Sequence, residues 1–343
     1  MGATIRDVAK LAGVSITTVS RVINHADNVN AHTVQAVQDA IQKLNFRPNR
    51  IAQSLGSGGF NAICVVSTRS AQQAFNNPYF SMMLQSIGEV AEQKNHDIIL
   101  VSSQNEDTEI EKCVSMIRGK VIQGLILLSS RNNDRLIEKL HELKAPFVVV
   151  GRVPDERLSA EVFSVDTDSY EDCREAVRYL IGLGHRRIAC LHAPLKYVVS
   201  KDRLDGYVAA HTDCGLPVDY SLVAEGGYSI GDAHAAAMAL LQGPGRPTAV
   251  FATDDIKAMG AYRAIRDLEL RIPEDISLFG HNNYEYTTIM KPELSTIDVP
   301  INQLGTLAAK VLFDLMEDQT PPHRTLLETR MVLRRSCQSP GTP

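Results

Sequence analysis

Apolar residues near the start of the chain recur at helical spacing in two short groups. Ile5 and Val8 would share one face of a first helix, and Val19 and Val22 would share one face of a second. Gly13 lies between the two groups, and glycine readily adopts the positive φ that ends a helix. The pattern therefore predicts two helices joined by a tight turn at residues 12–14.

The second predicted helix would turn a polar face to solvent. This face carries Thr17, Thr18, Ser20 and Arg21, and Ser15 stands before it as a candidate N-cap. A helix-turn-helix can place such a face in the major groove of DNA, where hydroxyls and an arginine meet bases or phosphates. The pattern alone leaves a second interpretation open, because amphipathic helix pairs with a glycine turn also occur in unrelated folds.

From residue 61 onwards, short apolar runs of strand length alternate with amphipathic helical stretches. The runs are residues 63–66, 98–101, 125–128, 147–150, 188–191, 250–252 and 276–279. This alternation is typical of parallel sheets built from βαβ units, and the length of the chain suits two of them. We expect one subdomain at 61 to about 160 plus 291–320, and the other at about 161–290 plus 321–337. The fold class is therefore α/β, with a helical head before a body of two parallel sheets.

Charge is divided unevenly between head and body. The chain of 343 residues has a formal net charge of −5. Residues 1–58 hold six Lys or Arg and three Asp or Glu, a net charge of +3, which leaves −8 for the remainder. A basic head is attracted to phosphates, whereas an acidic body is repelled by them. Because +3 is a small charge, we expect one head to bind weakly and two to act together in a homodimer.

Several classes of protein are disfavoured by what the sequence lacks. No apolar run approaches the length of a membrane span and the start does not read as a signal peptide, so we expect a cytoplasmic protein without a membrane partner. The six cysteines lack the spacing of a metal site, and we expect no metal or other cofactor. Neighbouring acids such as Asp254 and Asp255 cannot flank one scissile bond, and neither a phosphate-binding loop nor a nucleophile elbow occurs. We therefore expect no enzyme.

The head resembles a known family over several motifs. They are Thr4-Ile5-Arg6-Asp7-Val8-Ala9, Ala12-Gly13-Val14-Ser15, Thr18-Val19-Ser20-Arg21-Val22-Ile23-Asn24, Phe46-Arg47-Pro48-Asn49 and Ala52-Gln53-Ser54-Leu55. Together they resemble the amino-terminal signature of the LacI/GalR family of bacterial transcription regulators. The resemblance implies that residues 1–48 form a helix-turn-helix head for double-stranded operator DNA. It predicts these DNA-binding residues: Thr4, Ser15, Ile16, Thr17, Thr18, Ser20, Arg21, Asn24, Asn49, Ala52 and Leu55.

Residues 49–60 would join the head to the body. A helical stretch at 49–55 is followed by Gly-Ser-Gly-Gly at 56–59, which marks a boundary. A helix of this length is marginal by itself and forms stably only when paired or docked. In the resembled family it is the hinge helix, which folds against its dimer mate on the operator, and Leu55 would wedge between bases in the minor groove. The alternative is that Leu55 is a core residue at a domain junction.

The body, residues 61–343, resembles the type I periplasmic-binding-protein fold of the family's regulatory part. Ligands of open parallel sheets bind at the carboxyl ends of strands, and two sets of such ends would face one cleft. The resemblance implies a small-molecule effector in that cleft. It predicts these effector-binding residues: Tyr79, Phe80, Lys196, Tyr197, Arg203, Asp254 and Asn282.

Some of these residues have structural alternatives. Tyr79 and Phe80 could stack on a sugar or base, or could pack the start of a helix, which we expect more of Phe80. Arg203 matches an arginine with which relatives hold a ligand hydroxyl or carboxylate. Its alternative is a surface ion pair with Asp202 or Asp205.

Residues that follow two later strands are also candidates. Asp254 matches an effector-contacting position, whereas we expect Asp255 to cap the next helix. Gly280-His281-Asn282-Asn283 departs from the commoner pattern, in which an aromatic residue and aspartates follow the glycine. We expect Asn282 to reach the cleft with an amide that suits a neutral polyhydroxylated ligand, and His281 to be a packing residue.

Motifs between residues 202 and 301 are similar to those of maltose-operon repressors, which implies a neutral sugar of the maltodextrin type as effector. The alternative is a sugar-binding protein of transport or sensing, whose body would look the same but which would lack the basic head. A repressor's effector would act by favouring one of two body conformations, and the sequence leaves open whether it releases or strengthens operator binding. Dimerisation is expected through the helix at 80–94, and no heptad repeat follows residue 334 to form a tetramer.

Overall fold

The computed structural model describes residues 3–23, 29–46, 60–103 and 105–341. The head begins with α1 (Ile5–Ala12), α2 (Ile16–Ile23) and α3 (Ala31–Lys43). Gly13 ends α1 at a φ of 67°, and Ser15 Oγ accepts a hydrogen bond from the Thr18 N–H at 3.1 Å, so the predicted turn and cap are confirmed. The helix α3, which the apolar pattern had not identified, buries Val37 and Ala40 against the other two helices and so completes the core of the head.

The body consists of alternating strands and helices. Its strands are β1 (Ala62–Ser67), β2 (Asp97–Ser102), β3 (Gly124–Leu127), β4 (Phe147–Val150), β5 (Phe163–Asp166), β6 (Ile188–His192), β7 (Val223–Glu225), β8 (Ala249–Ala252), β9 (Ser277–Phe279), β10 (Thr296–Asp298), β11 (Arg324–Leu326) and β12 (Arg330–Val332). Its helices are α4 (Ala71–Phe75), α5 (Pro78–Gln93), α6 (Glu106–Arg118), α7 (Arg135–Glu142), α8 (Glu156–Ser159), α9 (Ser169–Gly182), α10 (Val198–Asp213), α11 (Ile230–Gln242), α12 (Asp255–Asp267) and α13 (Ile301–Met316). Short 3₁₀ turns lie at Tyr220–Leu222 and Glu285–Thr288.

These strands form two parallel sheets, as the pattern of apolar runs predicted. The first sheet has the order β11-β5-β4-β3-β1-β2, and the second has the order β7-β6-β8-β9. Within both sheets every pairing between neighbouring described strands is parallel. The strands β10 and β12 pair antiparallel where the chain passes between the sheets. The fold is thus α/β with two parallel sheets in the body, and each subdomain is built around one of them.

The division of the chain between the sheets differs from the expected one at two strands. We expected residues 161–290 and 321–337 in the second subdomain, but Phe163–Asp166 and Arg324–Leu326 both lie in the first sheet. The strand β5 pairs with β4, and β11 pairs with the outer side of β5. Both strands are short and interrupted by polar residues, so the apolar pattern carried no signal of their partner. The first sheet therefore contains two more strands than the sequence indicated, and one of them, β5, brings Asp166 to the cleft.

The core of the body follows the two faces of the sheets. Buried side chains of β1, β3 and β4 alternate between one cluster that includes α5 and α13 and a second cluster that includes α6 and α7. The second sheet has its own cluster with α11 and α12. No helix among the residues that the structure describes is long and apolar enough to cross a membrane.

Candidate functional site

The predicted DNA-reading face of α2 is open to solvent. Ile16, Thr17 and Arg21 are exposed, whereas Val19 and Val22 face the core of the head. Ile16 keeps 45% of its surface exposed although it is apolar, so it is available for contact with a base edge or methyl group. The helix therefore presents hydroxyl, apolar and cationic groups on one accessible side.

Other predicted DNA contacts also have structural partners. The hydroxyl and the N–H of Thr4 both donate to Asp7 Oδ2, at 2.7 and 2.8 Å. The hydroxyls of Ser15 and Thr18 share a hydrogen bond of 2.8 Å, and Ser20 is half-buried. These groups stabilise the helix starts, and their contact with DNA stays a prediction.

The remaining predicted DNA contacts, Asn24, Asn49, Ala52 and Leu55, lie outside the described residues. The same holds for residues 47–59, which include the predicted hinge helix. The predictions at these positions rest on the resemblance of the motifs alone.

A cleft opens between the two sheets at the carboxyl ends of their strands. It holds about 930 Å³ of empty space, counting the part open to solvent. Its lining includes Arg69, Tyr79, Phe80, Ser129, Ser130, Arg152, Asp166, Asp202, Arg203, Asp254 and Asn282. Both subdomains therefore contribute polar groups to the same space.

Arg203 lies in the wall of this cleft, on the second turn of α10. Its Nη1 donates to the backbone oxygen of Thr253, and its Nη2 donates to Asn282 Oδ1 at 3.4 Å. The alternative of a surface ion pair does not hold for Asp202, because that carboxylate pairs with both arms of Arg152 at 2.5 and 3.0 Å. Neutral hydrogen-bond acceptors thus hold Arg203 in place, so its positive charge is available to a ligand in the cleft.

The N-cap of α12 is Asp254 rather than Asp255. Asp254 Oδ1 accepts a hydrogen bond from the Ile256 N–H at 2.8 Å. Asp255 is fully buried, and its carboxylate accepts from the Thr296 hydroxyl at 2.8 Å and the Tyr284 N–H at 3.0 Å. Burial raises the pKa of Asp255 to about 8. The helix begins at Asp255, as expected, but the expectation that Asp255 caps it is wrong, because its carboxylate is turned into the protein interior and the preceding Asp254 is the N-cap.

The second oxygen of Asp254 joins a group that we call the polar cluster: Asn77, Asp254, Asn282 and Tyr284. Asp254 Oδ2 accepts from the amides of Asn77 and Asn282, at 3.3 and 3.0 Å. The Tyr284 hydroxyl accepts from Asn282 Nδ2 at 2.8 Å and donates to Asn77 Oδ1 at 2.9 Å. Since Asn77 precedes α5 of the first subdomain, the polar cluster connects the two subdomains at the floor of the cleft.

The aromatic pair at the start of α5 lies where the motif predicted. Asn77 caps this helix through a 2.9 Å hydrogen bond from the Tyr79 N–H. Phe80 is 5% exposed and packs edge-on against Phe75, although it also borders the cleft. Burial raises the pKa of Tyr79 to about 12, so its hydroxyl stays neutral. The structure thus places Phe80 mainly in the core and Tyr79 in the lining of the cleft.

Lys196 and Tyr197, predicted as effector contacts, do not line the cleft. Tyr197 is 1% exposed, and its hydroxyl donates to the Thr68 backbone oxygen at 3.0 Å. Lys196 is exposed, with Nζ 5.1 Å from the centre of the Tyr197 ring. The physical reason is the backbone, which pairs here with residues 130–132 of the first subdomain, as in the 3.0 Å bond from the Asn132 N–H to the Lys196 oxygen. This pairing turns Tyr197 into the protein interior.

His281 is a packing residue, as expected. It is fully buried, with Nδ1 at 3.0 Å from Asn282 Oδ1 and Nε2 at 3.7 Å from the carboxylate of Asp172. Burial lowers the pKa of His281, which favours the neutral ring. His281 thus contacts the Asn282 side chain from the protein interior and does not line the cleft.

Sequence reasoning missed four charged residues around the cleft: Arg69, Arg152, Asp166 and Lys257. The first three lie at or just after the ends of β1, β4 and β5, so the strand-end rule could have found them once those ends were known. Lys257 follows Asp254 at helical spacing and could have been found from α12. Burial raises the pKa of Asp166 to about 7, so this carboxyl group can hold a proton near neutral pH.

A helix-turn-helix head before a body of two parallel sheets around a cleft defines a ligand-responsive DNA-binding regulator. Comparison with known proteins identifies the family. Residues 4–49 match the model described as bacterial regulatory proteins, lacI family, and residues 177–337 match the periplasmic binding protein-like domain. The chain belongs to the LacI family of transcription regulators.

Individual relatives match over nearly their whole length. The HTH-type transcriptional repressor PurR of Pasteurella multocida (strain Pm70) is 31% identical, over 98% of this chain and 99% of that protein. The structure of a transcriptional regulator CelR–cellobiose complex is 31% identical, with a TM-score of 0.74, over 97% of this chain and 99% of that one. The lac repressor dimer bound to operator and the anti-inducer ONPF is 28% identical, with a TM-score of 0.86, over 98% of this chain and 100% of that one. The chain is therefore a DNA-binding transcription regulator and not an enzyme.

Proposed function

We propose that this protein is a homodimeric repressor whose affinity for operator DNA is controlled by a sugar-type effector bound in the cleft. The observation that carries the proposal is that the cleft is lined from both subdomains. A ligand that contacts both walls binds one relative arrangement of the subdomains better than another, which is the requirement for an effector.

The chemistry of the lining supports a polyhydroxylated ligand. The fork of Arg203 and the amide of Asn282 offer several donors, and the hydroxyls of Ser129 and Ser130 both donate and accept. Tyr79 adds an aromatic surface on which a sugar ring can stack. The CelR–cellobiose complex, a similar regulator with a bound saccharide, supports a saccharide as the effector. The neutral maltodextrin-type sugar inferred from the sequence motifs stays a prediction.

On the DNA side, we propose that α2 enters the major groove with Thr17 and Arg21, and that residues 49–55 form a hinge helix in the minor groove. Leu55 would be its wedge between bases. The lac repressor dimer on its operator supports the use of two heads on a two-fold site. This proposal includes dimerisation through α5. Gln85 and Glu89 on this helix are exposed and line a surface groove beside α13.

The direct test is operator binding with and without sugar. An operator can be selected from a random DNA pool with the full-length protein, and its affinity measured by fluorescence anisotropy at fixed salt. We expect at least one saccharide to change the affinity by about tenfold, within the usual range of allosteric coupling. A ligand that binds the cleft in calorimetry but never changes operator affinity would contradict the regulatory proposal.

The hinge can be tested on the same operator. Replacement of Leu55 by Ser removes the apolar wedge, so we expect weaker operator binding with an unchanged calorimetric response to the effector. Normal operator affinity of Leu55→Ser would show that Leu55 is not a wedge.

A further inference from the structure

A small side chamber opens from the cleft between the start of α10 and the start of α12. It holds about 400 Å³ of empty space, counting the part open to solvent. Arg69, Arg203 and Lys257 all line it, and they come from three different parts of the chain. Asp254 is the carboxylate in the lining of this chamber. Three cations thus surround one space with a single anionic side chain.

Lys257 is the most unusual of the three. It is only 4% exposed, on the first turn of α12, and it forms no hydrogen bond or salt bridge with any described residue. Asp254, Glu225 and Asp232 favour its charged form, whereas Arg69 and Arg203 disfavour it. Burial is the largest effect and lowers the pKa of Lys257 to about 8.

Arg69 is held in place by aromatic rings rather than by a carboxylate. Its guanidinium carbon lies 5.3 Å from the centre of the Tyr197 ring and 5.2 Å from that of Tyr228. Its Nε is buried without a hydrogen-bond partner among the described residues, and so is the Tyr228 hydroxyl. The two aromatic rings therefore orient Arg69, but no salt bridge with a described residue balances its positive charge.

The acids near the chamber offset these charges only in part, because none of them forms a salt bridge with Lys257 or Arg69 among the described residues. Each oxygen of Asp254 already accepts hydrogen bonds, one from the Ile256 N–H and the other within the polar cluster. Arg152, elsewhere in the cleft, differs from these cations. Its positive charge is balanced by Asp202 in a bidentate salt bridge. Three cations beside one carboxylate thus leave the lining of the chamber with a net positive charge.

Buried cations without a salt-bridge partner are costly, because weak attraction to more distant acids offsets only part of their desolvation. A purely structural role for Lys257 would call for a carboxylate partner or an apolar residue in its place. An anionic ligand would offset the cost at all three cations at once and gain charge-assisted hydrogen bonds. We propose that this chamber is an anion subsite, and that the effector is a sugar derivative with a phosphate or carboxylate group seated between Arg69, Arg203 and Lys257.

This inference rests on the proposed function of the cleft as an effector site, and it replaces the neutral sugar expected from the sequence by an acidic one. The sugar part would occupy the main cleft beside Tyr79 and Asn282, which offer stacking and neutral hydrogen bonds. The anionic group would enter the chamber. The main cleft would thereby recognise the hydroxyl groups of the sugar, and the chamber would recognise its negative charge.

Calorimetry on the full-length protein tests the subsite with minimal probes. Inorganic phosphate and acetate report on the chamber alone, while glucose, glucose 6-phosphate, glucuronate and maltose report on the sugar and on its charge. We expect inorganic phosphate or acetate to bind once per chain, and the stronger of the two to identify the anionic group. We also expect the corresponding acidic sugar to bind about tenfold or more tightly than glucose, as one charge-assisted contact allows.

Two variants connect the binding to the chamber. Lys257→Met and Arg69→Met remove a cation at similar length, and each should weaken binding of the anion by about tenfold or more. Lys201→Met is the matched control, since Lys201 is an exposed residue of α10 that pairs with Asp205 on the surface. It should leave anion binding unchanged. Circular dichroism and thermal unfolding establish that each variant is folded.

The outcomes separate this inference from the proposed function. The anion subsite is overturned if neither phosphate, acetate nor an acidic sugar binds, or if Lys257→Met and Lys201→Met bind the anion equally well. If maltose or glucose changes operator affinity while no anion binds, the regulatory proposal stands and the subsite is rejected. If an anion binds through Lys257 but leaves operator affinity unchanged in every combination with a sugar, the subsite stands and the regulatory proposal fails.

Discussion

At the scale of single residues, the polar cluster explains why an asparagine occupies position 282. Its side-chain amide donates to Asp254 at 3.0 Å and to Tyr284 at 2.8 Å, and it is 3% exposed. Its φ of 111° lies in a region that Asn tolerates better than most residues. An aspartate at this position would bring a second carboxylate against Asp254. The side-chain amide of Asn282 thus suits the neighbouring acid.

Replacement of Asn282 by Asp should destabilise the body by about 3 kcal/mol at pH 8, because two hydrogen-bond donors are lost and two buried carboxylates then face each other. A raised pKa in this variant means that one carboxyl group regains a proton as the pH falls, so the loss of stability should shrink towards pH 5. Urea unfolding at both pH values measures it. Asn105→Asp is the control, since Asn105 is an N-cap where Asp serves equally well. An equal loss in both variants would contradict this explanation.

At the scale of elements, the position of Arg203 depends on how closely α10 approaches α9. Gly206 lies on α10 one turn after Arg203, and a Cβ atom there would lie closer than 3.0 Å to the backbone oxygen of Tyr170 on α9. Glycine is therefore required by the contact between the two helices and not by backbone conformation. Any widening of this contact would move the first turns of α10, which carry Asp202 and Arg203 into the cleft.

Replacement of Gly206 by Ala should reduce the free energy of unfolding by about 1–3 kcal/mol, the usual cost of overpacking, and should also weaken effector binding. The control is Gly182→Ala at the end of α9, where an added Cβ meets nothing within 4 Å. That substitution should leave stability unchanged or slightly raised, because Ala favours helices over Gly. Chemical denaturation and calorimetry report both effects. A fully stable Gly206→Ala protein would show that the helices can separate without cost.

At the scale of the whole molecule, charge is separated between parts that meet different partners. The head carries +3 against −8 for the rest, yet the acidic body keeps buried cations in its cleft. Buried cations without a salt-bridge partner are typical of binding sites. They lower the stability of the ligand-free protein, because their charge is balanced only when a ligand binds. The cost of burying Lys257 can be measured, because its lowered pKa makes the free energy of unfolding depend on pH.

Lys257→Met should stabilise the ligand-free protein by on the order of 3 kcal/mol below pH 8. There the wild-type lysine is charged in both the folded and the unfolded state, and its burial cost is complete. Between about pH 8 and its usual pKa of 10.5, the folded protein loses the proton first, so wild-type stability due to this group rises with pH. The advantage of the variant should therefore shrink in unfolding experiments at pH 9.5 compared with pH 7. Lys201→Met should show no gain at either pH, and a Lys257→Met protein that is less stable at pH 7 would argue for a structural role.

The sequence by itself determined the local features of this protein. The spacing of Ile5 and Val8, the turn at Gly13 and the cap at Ser15 are set by neighbours in the chain, so the first two helices of the head were predicted, whereas α3 was not. Seven of the ten strands in the parallel sheets were equally predictable, because each coincides with a mainly apolar run between helices, whereas β5, β7 and β11 were not. Family motifs further located Tyr79, Arg203, Asp254 and Asn282, all of which line the cleft.

Only the tertiary structure decided which distant residues meet. The strands β5 and β11 join the first sheet through pairing that leaves no periodic signal, and Tyr197 turns inward because its backbone pairs across the subdomains. Arg69 and Lys257 lie far apart in the chain and come together only because two sheets direct their strand ends into one cleft. The charge of the ligand site is a sum over such contacts, and for that physical reason it could not be read from the sequence.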